Sequence, residues 1–281
     1  MKKKPIPPPN SIRFIQFSEN EWSFESPRLD GRVFDIFHEA LEDFDAGKLR
    51  KAESNLRLIL EGFPEFIDAY HHLAVILDES RRHKQARQIW KTAVEIGRSA
   101  FPVTFKLGQH KLPWEILDNR PFLRAYHSWG LLLLEEEKID EALVVFNEIL
   151  SMNLDDNQGV RALTINCYFC LSQPSQVLAI CKRYPNDTME EVLYGRSLAF
   201  FQLQRELEAK AALIKAIEIL PLVAEELVKK THRLPKNANS YYDSFGGKDQ
   251  AYYYWKRNGK YWEKTNGALQ FVASILTNNP H

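Results

Sequence analysis

Small residues recur in this chain at one interval, and that interval confines what it can fold into. Ala52, in GKLRKA, and Ala86, in HKQA, stand 34 residues apart. Ala142 follows 56 residues later, one period of 34 and an insertion of 22. Ala209 comes after another 67, one period of 34 and one of 33. Around these alanines apolar residues return every three or four positions, in HEALEDF, LRLIL, LAVIL, LLLLEEEKIDEALVVF and AALIKAIEIL. That is the spacing of a helix with one buried face. Segments of about 12–15 residues joined by short turns make helical hairpins. A single hairpin cannot bury its apolar face, so hairpins in series must stack.

The register can be followed residue by residue. Counted from Ile67, the second period has Tyr70, Leu73, Ala74, Leu77, Ala86, Trp90 and Ala93 at positions 4, 7, 8, 11, 20, 24 and 27. From Leu123, the third has Tyr126, Trp129, Gly130, Leu133, Ala142, Phe146 and Ile149. The first shows Ile36, Ala40, Ala52, Leu56, Ile59 and a closing Pro64, and the fifth Leu193, Ser197, Phe200, Ala209, Leu213, Ala216 and a closing Pro221. The fourth is degenerate, with Pro174 opening a shortened second helix. Small residues at 8 and 20 let paired helices touch, and large ones at 4, 7, 11 and 24 fill the space between hairpins. Over residues 33–221 this pattern resembles the tetratricopeptide repeat family. The resemblance implies an all-α, right-handed superhelical solenoid of about five hairpins, acting as a non-enzymatic interaction scaffold.

Three regions depart from the repeat. Residues 1–28 read as a Lys/Pro-rich tail over 1–12 followed by an extended arm, whose Phe14, Ile15, Phe17, Trp22 and Phe24 are too apolar for a free linker. Residues 98–120 are an insertion broken by Pro102 and Pro113, and a loop of that length is expected to pack on the body or serve binding. The repeats are expected over 29–221, and 222–281 as a helical C-terminal cap. The run Gly267-Ala268-Leu269, with Asp249-Gln250-Ala251 before it, resembles the end of bacterial tetratricopeptide proteins of unknown function. It also faintly resembles the end of the suppressor-of-tumorigenicity-7 family.

The resemblance assigns a concave face to first-helix positions 2, 5, 6, 9, 12 and 13. The expected peptide-binding groove therefore holds Phe37, His38, Leu41 and Phe44 in the first repeat, and His71, His72 and Val75 in the second. It holds Arg124, His127 and Leu131 in the third, and Arg161 in the fourth. Apolar anchors among a few polar groups suit a peptide or helix of a partner protein. The two-carboxylate clamp used for chaperone tails needs Lys, Asn and Asn where this chain has Phe34, His38 and His72, so no chaperone tail is expected to bind. Clustered imidazoles titrate near neutrality, which predicts a pH-dependent affinity.

Other motifs point away from chemistry. Cys167-Tyr-Phe-Cys170 lies mid-helix, and no second pair completes a zinc site, so core cysteines are expected. The histidines lack i,i+4 pairing, and neither a metal nor a cofactor is implied. GxGxxG, P-loop, GxSxG and HExxH motifs are absent from the sequence. Thirty-seven Lys+Arg balance thirty-seven Asp+Glu, which argues against bulk coating of nucleic acid. The alternative reading is nucleic-acid association through AYYYWKRNGKYW (251–262), where Tyr252, Tyr253, Tyr254, Trp255 and Trp262 alternate with Lys256, Arg257 and Lys260. No apolar run reaches the roughly 18 residues of a membrane span. Three cysteines suggest a reducing compartment, and the cytoplasm is the expected location.

Overall fold

The computed structural model describes residues 11–27, 29–236, 238 and 244–278. The Lys/Pro tail lies almost entirely outside these residues, as do residues 239–243 of the expected C-terminal cap. The described residues contain thirteen α-helices and one two-stranded sheet. The chain divides into two compact units, residues 1–160 and 161–281, at a point inside the repeat stretch.

The first unit holds three hairpins: α1 (Gly31–Asp45) with α2 (Leu49–Gly62), α3 (Ile67–Glu79) with α4 (His83–Ala100), and α5 (Arg120–Glu135) with α6 (Ile139–Met152). The periodic alanines Ala40, Ala52, Ala74, Ala86 and Ala142 have no exposed surface, and Leu56 and Leu77 are sealed beside them. Gly130 shows why position 8 must be small. A Cβ there would lie 2.4 Å from the ring of Phe146 on the facing helix.

The turns of the five repeat hairpins use one geometry. Gly47, Arg81, Glu137, Ser172 and Gln204 each follow a first helix and each have φ between 56° and 73°. The amide of the next residue then donates to the carbonyl five positions back: Lys48 to Asp43, Arg82 to Leu77, Lys138 to Leu133, Gln173 to Tyr168 and Arg205 to Phe200. This is the 6→1 bond of a Schellman ending, which satisfies helix-end carbonyls and reverses the chain. Only the first of the five turns has the glycine that a left-handed residue favours.

The arm and the insertion fold together. The arm is an antiparallel hairpin of β1 (Arg13–Gln16) and β2 (Trp22–Glu25). Phe14 meets Phe101 and Phe105 at 4.8 and 5.1 Å between ring centroids, and Phe24 meets Phe122 of α5 at 5.1 Å. The fully buried Asn119 accepts from the amide of Phe24 at 3.0 Å and donates to the carbonyls of Trp22 and Pro113. Insertion residues Lys111 and Leu112 donate to the carbonyls of Asn20 and Met152. These contacts close the inter-repeat edge of the unit and tie down the insertion's backbone polar groups.

The second unit contains α7 (Val160–Cys170) with α8 (Pro174–Arg183), and α9 (Glu190–Gln202) with α10 (Glu206–Ile219). Helix α11 (Pro221–Leu227) follows, and then α12 (Lys248–Lys264) and α13 (Ala268–Asn278). Pro174 does open α8, which at 10 residues is about one turn shorter than the 14-residue α10.

Candidate functional site

In the first unit, helices α1, α3 and α5 are neighbours and present one face. Its residues form layers. Phe34 and His38 are exposed on α1 with ring centroids 4.2 Å apart, and Leu131 is exposed on α5. Leu41, Phe44, His72, Val75, Arg124 and His127 are half-buried. Phe37 and His71 are buried, Phe37 with its ring 5.0 Å from Phe66 and 5.9 Å from His72. Both occupy repeat position 5, where a large ring falls between adjacent first helices. These two therefore form the floor rather than the open surface expected of them.

The charge of this face is tied down. Arg124 of α5 donates to Asp68 of α3 at 2.7 Å, and His72 Nε2 stands 3.6 Å from the same carboxylate. Arg124, expected to line the groove, is thus one end of an ion pair between helices. Burial is the main influence holding His71, His72 and His127 below the ordinary imidazole range, and His71 falls to about 3. The neighbouring His72, Arg124 and His127 add to the shift at His71. His71 is therefore neutral at pH 7 and takes no part in the titration near neutrality expected of the cluster. Among the described residues, no group of three or more His, Cys, Asp or Glu is placed to hold a metal ion.

In the second unit the corresponding positions are covered by the chain itself. Ala162, Ile165, Tyr168, Phe169, Tyr194 and Leu198 are all buried. Phe169 stacks on Tyr261, Tyr194 meets Tyr254 at 5.6 Å, and Phe201 stacks on Phe271 at 4.8 Å. Arg257 of α12 pairs with Glu190 and Glu191 on the first turn of α9, and Gln250 and Asn258 donate to the same carboxylates. Tyr261 Oη donates to the carbonyl of Asn166. Arg161, expected in the groove, is ion-paired with Asp187 and lies over the ring of Tyr184. The C-terminal helices thus turn back onto the first-helix faces of the fourth and fifth repeats.

This packing also places the basic-aromatic segment. Tyr254 and Trp262 are buried and joined by a hydrogen bond of 3.0 Å, and Trp255 stacks on His232 at 3.7 Å. Lys256 and Lys260 are exposed. Cys167 and Cys181 are buried, and desolvation raises their thiols to about 12 and about 11. Cys170 is exposed, unlike the core position expected for the motif. No helix among the described residues is long and apolar enough to cross a membrane.

Stacked helical hairpins with this register define the molecule as an all-α repeat solenoid of the tetratricopeptide type. A tetratricopeptide repeat protein from Parabacteroides merdae is similar, with a TM-score of 0.52 at 12% identity, over 90% of this chain and 82% of that one. YrrB, described as a tetratricopeptide protein with an unusual peptide-binding site, gives a TM-score of 0.47 at 17% identity, over 67% and 87%. PilW, a type IV pilus biogenesis factor, gives 0.46 at 14%, over 90% and 96%. At these identities the likeness concerns the fold alone. No curated protein matches the chain. The profile of the family described as Transcriptional repressor TCF25 matches residues 22–279, and the chain belongs to that family. The match includes the β2 strand, the insertion and the C-terminal helices.

Proposed function

We propose that this chain is a non-enzymatic scaffold that holds an amphipathic helix of a partner protein on the α1–α3–α5 face. One observation carries the reading. In the second unit, the equivalent first-helix positions hold an aromatic helix, α12, supplied by the chain itself. In the first unit those positions carry exposed Phe34 and Leu131 beside the Asp68–Arg124 pair. A helix set into an apolar groove is a recurrent mode of recognition, and α12 is its template here. Phe34, His38, Leu41, Val75 and Leu131 would give apolar and aromatic contact, and Asp68, His72 and Arg124 would orient the partner's polar groups.

The family description supports a partner engaged in transcriptional repression. The location proposed from the three unpaired thiols remains the cytoplasm. Nuclear enrichment of the tagged chain, which the family description favours, would replace that proposal.

The test uses Phe34→Asp with Leu131→Asp. Both side chains are exposed, so the helices should form as before, which circular dichroism and the melting temperature verify. A photo-crosslinker at His38 then reports what contacts the face in cells. A protein crosslinked at His38 and lost from the double variant is the expected result. An unchanged crosslinking pattern would remove the face from the proposal.

A further inference from the structure

The second unit has a hollow on the side of α9 that α12 does not use. Leu178, Cys181, Lys182 and Pro185 follow one another at helical spacing along α8 and its end. Arg196 and Phe200, four apart on α9, face them, and Arg205 closes the rim. Arg196 is two residues from Tyr194, about 200° around the helix, so this surface is separate from the one under α12. The hollow has a volume of about 490 Å³, within the range of ligand sites.

Its lining combines two chemistries. Leu178, Pro185 and Phe200 give an apolar floor. Lys182, Arg196 and Arg205 give three cations, and among the described residues no Asp or Glu lines the space. Arg196 is half-buried and donates to the carbonyl of Cys181 at 3.0 Å, which fixes its guanidinium at the wall. Among the described residues it makes no ion pair. Arg205 lies over the Phe200 ring at 4.6 Å and bonds Glu208 beyond the rim. Lys182 is exposed at the last turn of α8. A guanidinium held in place beside apolar carbon, with no carboxylate opposite, is complementary to an anionic group carried on an apolar body.

We propose that the hollow between α8 and α9, with Arg196, Lys182 and Arg205 around Leu178 and Phe200, binds an acidic peptide. That peptide sets one large apolar side chain on the floor and flanking carboxylates on the cations. The apolar floor favours such a peptide over inorganic phosphate, which would use the cations alone. The site is independent of the α1–α3–α5 face.

The full chain is tested on an array of octapeptides with Leu, Phe or Ala at the centre, flanked by Asp, Gln or Lys. The wild type should retain Asp-flanked Leu and Phe peptides at least tenfold more strongly than Gln-flanked or Ala-centred ones. Arg196→Met, which keeps the stem and removes the charge, should abolish that preference. Lys182→Glu with Arg205→Glu, both at exposed positions, should do the same without moving the melting temperature. Phe34→Asp with Leu131→Asp should leave the preference intact, so failure of the groove reading is seen separately. The proposal is overturned by no preference for Asp flanks, by a preference unaffected in both charge variants, or by a preference lost in the Phe34/Leu131 variant. Displacement by inorganic phosphate or by a single-stranded oligonucleotide more readily than by free acidic peptide would also overturn it.

Discussion

Gly130 illustrates how much of this fold rests on single atoms. It occupies the point where α5 and α6 touch, and the facing Phe146 is fully buried and has nowhere to retreat. Gly130→Ala would gain about 0.5–1 kcal/mol of helix preference. It would lose about 1–3 kcal/mol by overpacking the Phe146 ring. The expected net result is destabilisation, seen as a melting temperature lower by a few degrees, at roughly 2–4 °C per kcal/mol for a domain of this size. An unchanged or higher melting temperature would show that the hairpin contact is looser than the distance implies. The alanines and this glycine were readable in the sequence because smallness at a helix contact has no substitute. The left-handed turn residues were not. Arg81, Glu137, Ser172 and Gln204 carry no glycine signal, and their conformation is imposed by the chain reversal after each first helix.

At the scale of elements, sequence and structure part at the two ends of the chain. β1 and β2 are four residues each, too short to set up a visible alternation, so they read only as an apolar arm. Their pairing depends on Phe101, Phe105, Asn119 and Phe122, residues up to about a hundred positions away, and short-range pattern cannot reveal such partners. Helix α12 was legible as a helix but not as the occupant of the fourth and fifth repeats. Its aromatics fit a terminal cap, a nucleic-acid platform or an internal ligand equally well by composition. The deciding residues, Glu190 and Glu191, lie about 66 positions before their partner Arg257. Tyr254 is the anchor, almost fully buried and bonded to Trp262. Tyr254→Ala should cost about 3–5 kcal/mol, the range for emptying a large aromatic site. Limited proteolysis of the full chain would show it as new cleavage within 248–264, with α1–α6 still protected. Protection of α12 equal to the wild type would mean that Arg257 and the other ring contacts hold it without Tyr254.

At the scale of the whole molecule, the two units carry opposite responses to pH, because each buries a different kind of ionisable group. In the first unit, burial holds His71 at about 3, far below its ordinary 6.5. The unfolded chain takes up a proton below 6.5 that the folded unit refuses. Stability from this group is complete above pH 6.5 and erodes as pH falls toward 3. In the second unit, burial and then the neighbouring charge of Glu191 raise Glu190 from its ordinary 4.5 to about 7. Here the folded state keeps a proton that the unfolded chain releases. Stability is complete below 4.5, erodes as pH rises to about 7, and changes no further above it. Between pH 5 and 7 the two units should therefore move in opposite directions. Hydrogen exchange, corrected for intrinsic rates, should show protection of α3 rising over that interval while protection of α9 and α12 falls. Glu190→Gln mimics the protonated side chain and should flatten the response of α9 and α12 alone. Parallel trends in the two units, or a Glu190→Gln profile with the wild-type slope, would mean that the Glu190–Glu191–Arg257 cluster shares its charge differently from the arrangement described above.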